Sequence, residues 1–124
     1  MSIDLTPEQI QAYRAAARAR WAAERAALAE RRQRAWALAR QAAELLKTQF
    51  GATRVVVFGS LNHPEMFNEY SDVDIAAWGL PKEDWLRAIG AVQDLSDDIP
   101  INLVDMNIVR PELAIAIERE GVEL

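Results

Sequence analysis

The chain has 124 residues, of which 51% are hydrophobic and 27% are charged, and its formal net charge is -5. This length suits one ordinary domain, and the apolar fraction is enough to bury a core. The absence of cysteine excludes disulfides, thiolate metal sites and cysteine nucleophiles. No apolar run approaches the roughly 18–20 residues of a membrane-spanning helix, and the first ten residues lack the basic and apolar regions of a secretory signal. The sequence therefore predicts a soluble cytoplasmic protein with no membrane partner.

Charge is divided unevenly along the chain. Residues 1–50 contain nine Lys or Arg and five Asp or Glu, whereas residues 51–124 contain five and fourteen. Because a nucleic-acid-binding protein is typically basic, this balance argues against a nucleic-acid partner. The acidic part could hold metal ions, and the basic part could contact an anionic partner or the acidic part of its own molecule.

A long helix is the first predicted element. Thr6-Pro7-Glu8-Gln9 combines a capping Thr, Pro at the first helical position and an acceptor side chain three residues after the cap. From Glu8 to Phe50 there is neither Gly nor Pro, and good helix formers dominate. One continuous helix over this stretch would be about 60 Å long. The sequence leaves open whether residues 8–49 form one piece.

The surface of this helix has two interpretations. Apolar side chains recur every seven residues at Trp21, Leu28, Ala35 and Ala42, and the heptad is convincing only in its second half. In one interpretation the C-terminal half of the helix packs on the domain. In the other, Tyr13, Trp21, Leu28 and Trp36 form a surface for another chain. The basic run at residues 31–34 predicts a solvated face, with nucleic-acid contact as the minor alternative.

The remainder of the chain predicts alternating strands and helices. Gly51 ends the first helix, and Pro81 and Pro111 begin two more, which run to about Leu95 and to Gly121. Predicted strands occupy residues 54–58, 72–78 and 99–104. In the last helix, Leu113 and Ile117 are expected to face the core. The order predicts a small α/β domain at residues 51–124 that follows an N-terminal helical extension at residues 1–50.

Chemistry-bearing residues lie where these strands begin or end. Gly59-Ser60 ends a buried strand, where Gly allows close approach to the backbone and Ser60 offers an N–H and a hydroxyl to a phosphate. Asp72 and Asp74 alternate along a strand, so both carboxylates project from one face. Since like charges that close repel, the pair indicates a compensating cation, and Mg²⁺ suits carboxylate oxygens and phosphates. Two exposed acids at a strand edge are the simpler alternative.

These residues together resemble the signature of the nucleotidyltransferase superfamily, which includes polymerase-β-like enzymes. The resemblance comprises Gly59-Ser60, eleven intervening residues and Asp72-Val73-Asp74-Ile75. It is closest to the minimal nucleotidyltransferases, because the ending at residues 111–122 also resembles their C-terminal helix. It covers about residues 50–124 and implies a small mixed sheet with flanking helices. It further implies that Gly59 and Ser60 hold the phosphates of ATP and that Asp72 and Asp74 bind Mg²⁺ and carry catalysis.

The third strand departs from the pattern of that family. The family commonly has Val-Asp-Leu-Val where this chain has Ile101-Asn102-Leu103-Val104. An amide can bind a metal through its oxygen, but it supplies neither charge nor a carboxylate base. Asp105 lies an odd number of positions from Asn102, so it faces the other side of a regular strand and could substitute only through a bulge. Asn102, Asp105 or neither could complete the metal site.

The resemblance implies three functional hypotheses. The leading one is an antitoxin that transfers AMP from ATP to a small helical partner of the HEPN type. The second is a binding module that neutralises its partner by contact alone, using the long helix. The third is a small-molecule nucleotidyltransferase of the kind that modifies aminoglycosides, for which the chain is short. The helix could also mediate self-association; acceptor, base preference and oligomeric state are left open.

Overall fold

The N-terminal helix forms in one piece. The structure, a computed structural model, describes residues 4–124, so residues 1–3 of the predicted extension lie outside the described residues. Helix α1 spans Pro7–Phe50 without a break. The predicted cap is present: the Thr6 hydroxyl accepts from the Gln9 N–H at 3.1 Å, and the Gln9 side chain accepts from the Thr6 N–H at 2.8 Å. Gly51, in the left-handed conformation, ends the helix as predicted.

The two halves of α1 have different environments. Its buried side chains all lie in the second half and are mostly small, namely Ala35, Ala39, Ala42, Ala43 and Leu46. Trp36 is partly buried and packs against the same core. In the first half, Tyr13 is 73% and Trp21 54% exposed. The interpretation in which only the C-terminal half packs on the domain is therefore confirmed.

Two further helices and a four-stranded sheet complete the structure. Helices α2 and α3 span Trp85–Gln93 and Pro111–Glu120. The strands are β1 (Arg54–Phe58), β2 (Val73–Trp78), β3 (Ile101–Asp105) and β4 (Val122–Glu123). Their order is β3-β2-β1-β4, with β2 and β3 parallel and the other neighbours antiparallel. The predicted fold class, a small mixed sheet with flanking helices and a long N-terminal helix, is confirmed.

Several element boundaries differ from the predicted ones. The two-residue strand β4 is absent from the prediction, because Val122–Glu123 is too short for an alternating pattern to be recognised. The helix expected from Pro81 begins as a 3₁₀ turn at Lys82–Asp84, and α2 starts only at Trp85. In the part of the chain described, no helix is both long and apolar enough to cross a bilayer.

The sheet has two unlike faces. The core face packs against α1 and α2 and carries a large apolar cluster, to which the sheet contributes Val55, Val57, Val73, Ile75, Ala77 and Ile101. The opposite face, here called the site face, carries a smaller buried cluster of Val56, Ala76 and Ile117. Helix α3 supplies Ile117 to this cluster, whereas Leu113 is 36% exposed, so the prediction for Leu113 is wrong. The polar side chains of the site lie on this less covered face.

Candidate functional site

The turn after β1 brings the backbone against a carboxylate. Strand β1 ends at Phe58, and a 3₁₀ turn follows at Gly59–Asn62, with Gly59 at φ 79°. A Cβ atom at Gly59 would lie 2.5 Å from Oδ2 of Asp74. Gly59 is thus required twice, once by the left-handed backbone and once by the close approach of Asp74. Ser60, which is partly exposed, is the next residue of this turn.

Register in the sheet places the acids beside this turn. Asp74 on β2 is paired with Phe58 of β1 on one side and with Asn102 of β3 on the other. Asp72 immediately precedes β2. The Asn102 amide nitrogen donates to Asp72 Oδ2 and to Asp74 Oδ1, both at 3.1 Å. The structure therefore brings the three residues together on the site face, next to Gly59.

The orientation of the Asn102 amide follows from its partners. Ionised carboxylates only accept hydrogen bonds, so the NH₂ group of the amide faces both acids. In this arrangement the amide bridges the pair through two donors. For Asn102 to bind a cation held by the same acids, its side chain must rotate so that Oδ1 faces inward.

The electrostatics of the pair are those of uncompensated negative charge. Burial is the main cause that raises the pKa of Asp74, and the Asp72 charge raises it further, while the hydrogen bond from Asn102 lowers it. Within residues 4–124, the ion pairs of the structure involve neither acid. A divalent cation would remove the repulsion that the amide only moderates.

The donor set fits Mg²⁺ rather than a metal that requires a protein cage. Across the described range there is no group of three or more His, Cys, Asp or Glu side chains that could hold a metal. The acids supply two carboxylates, and Asn102 is exposed, so water and phosphate oxygens can reach the site. Mg²⁺ is commonly bound by one or two carboxylates, with waters and substrate phosphates as its other ligands.

Asp105 does not belong to this site. The β2–β3 register continues without a bulge to the pairing of Ala77 with Asp105, so Asp105 lies on the core face, as the alternation predicts. Its Oδ1 accepts from the Asn107 N–H at 2.9 Å. Asn102 is thus the β3 side chain that reaches the two acids.

Two arginines of α1 contact the segment between Ser60 and Asp72. Arg32 Nη2 donates to the Leu61 carbonyl at 2.7 Å, and Arg31 Nη2 donates to the Ser71 carbonyl at 3.2 Å. The prediction of a solvated face at residues 31–34 is wrong for these two, because both side chains are partly buried. Arg34 does remain exposed, paired with Asp98. Sequence reasoning missed these contacts, since no local pattern links residues that are separated by 29 or 40 positions in the chain.

Comparison with known proteins gives the class of the chain. Residues 40–124 match the family model described as Polymerase beta, Nucleotidyltransferase. The match covers more than half of the chain, and the chain belongs to this family. No curated protein matches it. Because the match begins in the packed half of α1, the division of the chain at residues 50 and 51 stays a prediction.

Proposed function

We propose that this protein is an Mg²⁺-dependent nucleotidyltransferase that transfers AMP from ATP to a protein acceptor. The observation that carries the proposal is the convergence of Asp72 and Asp74 on one amide beside the Gly59 turn. Two carboxylates in that position repel each other, and in a member of the nucleotidyltransferase family a shared cation would offset that repulsion. Membership of the family supports transferase chemistry, and the protein acceptor is the further step proposed here.

Each site residue has a role in nucleotide binding. The Gly59 backbone allows close approach, and the N–H and hydroxyl of Ser60 bind phosphate oxygens. Asp72 and Asp74 hold Mg²⁺, with the amide oxygen of Asn102 as a third, uncharged ligand. When bound, Mg²⁺ supplies neutralisation of the triphosphate charge and activation of the acceptor hydroxyl. The residues of the chain orient the phosphates relative to that hydroxyl.

The proposed reaction transfers the AMP group of ATP to a hydroxyl of the acceptor. An acceptor hydroxyl oxygen forms a bond to the α-phosphorus of ATP. The bond between the α-phosphorus and the oxygen that bridges to the β-phosphate breaks, and pyrophosphate leaves with the electron pair. The hydroxyl proton passes to solvent water, because the Asn102 amide is not a base and both carboxylates are assigned to the metal.

The proposed acceptor is a small helical protein of the HEPN type, which the transfer would silence in the cytoplasm. The resemblance to the minimal nucleotidyltransferases motivates this choice. The exposed aromatic side chains of α1, Tyr13 and Trp21, provide a surface that such a partner, or a second copy of this chain, could cover.

Transfer can be tested with ATP labelled at its α-phosphate. The labelled ATP is incubated with Mg²⁺, this protein and a small helical protein of the HEPN type as the candidate acceptor. We expect the partner to become labelled by the wild-type protein and not by the Asp72→Ala variant. An unlabelled partner in the presence of the wild-type protein would contradict transfer to that acceptor, and a small labelled product formed without it would indicate a small-molecule acceptor.

A second candidate function is neutralisation of the partner by contact alone. The observation that favours it is Asn102, which replaces a carboxylate with an amide and leaves the site with two acids. In this case Asp72→Ala would silence the partner as well as the wild-type protein does. If silencing requires both Asp72 and ATP, contact alone is excluded.

A further inference from the structure

The segment that joins the Gly59 turn to the acids is attached to α1 at both ends. Leu61, which follows Ser60, is fully buried, and its carbonyl accepts from Arg32 at 2.7 Å. Ser71, which precedes Asp72, is 8% exposed, and its carbonyl accepts from Arg31 at 3.2 Å. Both contacts are thus one residue away from a proposed nucleotide ligand.

We propose that Arg31 and Arg32, the arginine clamp, are positioning residues of the nucleotide site. They touch neither the nucleotide nor the metal in this proposal. They fix the backbone on either side of residues 61–71, and thereby the separation between Ser60 and Asp72. This inference rests on the proposed function for its link to nucleotide binding, whereas the clamping of the segment itself rests on the contacts alone.

The chemistry of the two side chains argues for this role over simple packing. The Nε atoms of both Arg31 and Arg32 are buried and have no hydrogen-bond partner among the described residues. Placing a charged guanidinium in such surroundings is unfavourable unless its remaining N–H groups gain strong bonds. The bonds gained are charge-assisted and both end on carbonyls of the same segment. An apolar side chain would fill the space without the unpaired Nε, but it would not hold the segment.

The same helix offers a matched control. Arg34 carries the same charge on α1, but it pairs with Asp98, which lies outside residues 59–74. Replacing Arg34 with Ala removes one positive charge from the helix and leaves the clamp in place. An effect of net charge on ATP binding would appear in Arg34→Ala as well as in the clamp variants.

The test measures Mg²⁺-ATP affinity by calorimetry, below the unfolding temperature of every variant. We expect Arg32→Ala and Arg31→Ala each to weaken binding by about 10-fold, the lower end of what loss of an orienting partner costs a metal site. Arg34→Ala is expected to bind as the wild type does. A purely structural role would lower Tm and leave the affinity of the folded protein unchanged, and that result would overturn the proposal.

Amide hydrogen exchange in the nucleotide-free protein tests the arginine clamp independently of the proposed function. We expect faster exchange over residues 61–71 in Arg31→Ala and Arg32→Ala, and wild-type rates there in Arg34→Ala. Unchanged exchange in the clamp variants would overturn the clamp. If the wild-type protein binds no Mg²⁺-ATP while the clamp variants exchange faster, the proposed function fails and the clamp stands as an element that orders the segment.

Discussion

The two faces of the sheet differ in the burial and polarity of their side chains. On the core face, alternate side chains of β1 and β2 are fully buried aliphatic residues that α1 and α2 cover. On the site face, the same strands pair Phe58 with Asp74, and β3 adds Asn102. Among residues 4–124, only Val56, Ala76 and Ile117 form a buried cluster there. One face is arranged for stability, and the other accepts an unfavourable carboxylate pair.

This difference separates the residues that make the fold from those proposed to perform chemistry. Period-two alternation sends neighbours in one strand to opposite faces, so Ile75 lies in the core while Asp74 lies in the site. Covering one face with two helices and the other mainly with α3 leaves the acids accessible to solvent and phosphate. Variants that affect the two faces differently therefore test the comparison.

The largest expected effect is a difference in Mg²⁺-ATP affinity between variants of two acids that lie on opposite faces of the sheet. Asp72→Ala removes one of the two proposed charged ligands and should weaken Mg²⁺-ATP binding by at least about 100-fold, as measured by calorimetry. Asp105→Ala is the control, because Asp105 lies on the core face and its carboxylate caps the turn at Asn107. Comparable losses in the two variants would mean that the site face is not where the nucleotide binds.

Two glycines in the left-handed conformation give the next largest contrast. Gly51 and Gly59 have φ values of 74° and 79°, so Ala at either position is strained by about 1–2 kcal/mol. A Cβ at Gly51 meets no atom within 4 Å, whereas at Gly59 it meets Asp74. We expect both variants to lower the free energy of unfolding and only Gly59→Ala to weaken Mg²⁺-ATP binding, by about 10-fold. If fully folded samples of the wild type and of Gly59→Ala bind Mg²⁺-ATP with equal affinity, the turn is not part of the site.

Restoring the missing carboxylate should strengthen the site. Asn102→Asp adds a third charged ligand and should raise Mg²⁺ affinity by about fivefold, since carboxylate ligands dominate binding of hard cations. Without Mg²⁺ the same variant should be less stable than the wild type, because three carboxylates then repel. Asn107→Asp adds the same charge in the turn after β3 and serves as the control. A variant that gains stability without the metal would contradict the arrangement.

The smallest expected effect is a pH-dependent change in stability. Burial raises the pKa of Asp74 in the folded state above its unfolded value, so the fold loses stability as the pH rises through the raised pKa. Asp74→Asn removes this penalty and should raise Tm at neutral pH by a few degrees, which is the order of shift that a single substitution gives in a small domain. The gain should vanish as the pH falls below the pKa of an unfolded Asp, about 3.9. Thermal unfolding across this pH range measures it.

Magnesium ions provide the control for that stability change. Added Mg²⁺ should raise Tm of the wild type and have little effect on Asp74→Asn, since ligand binding to the folded state stabilises it by mass action. A higher Tm for Asp74→Asn at acidic pH, or a Tm below that of the wild type at neutral pH, would contradict the assigned direction of the pKa.

Local patterns predicted most of the fold. The cap at Thr6, the glycine stop at Gly51 and the apolar run of β1 are each specified by neighbouring residues, and each forms as predicted. Strand β4 could not be predicted, because two residues contain no period. The exposure of Leu113 depends on which side of α3 meets the sheet, and that is set by tertiary packing rather than by the helix itself.

The candidate site, too, was predictable from local patterns only in part. Alternation alone put Asp72 and Asp74 on one face and Asn102 and Asp105 on different ones. The register of the sheet agrees for Asp74, Asn102 and Asp105, and the hydrogen bond from Asn102 agrees for Asp72. That the Asn102 amide bridges both acids depends on the pairing of β2 with β3, which no local pattern encodes. The arginine clamp joins residues far apart in the chain, so its side chains had the appearance of a surface charge cluster.

The central claim is that Asp72 and Asp74 share a divalent cation with a nucleoside triphosphate. A crystal structure with Mn²⁺ in place of Mg²⁺ and a non-hydrolysable ATP analogue tests it most directly, because Mn²⁺ can be located by anomalous scattering. The account predicts an anomalous peak within coordinating distance of both carboxylates, with the triphosphate against Gly59 and Ser60. Nucleotide bound elsewhere, or the Asn102 amide still bridging two metal-free acids at saturating Mn²⁺ and analogue, would contradict it.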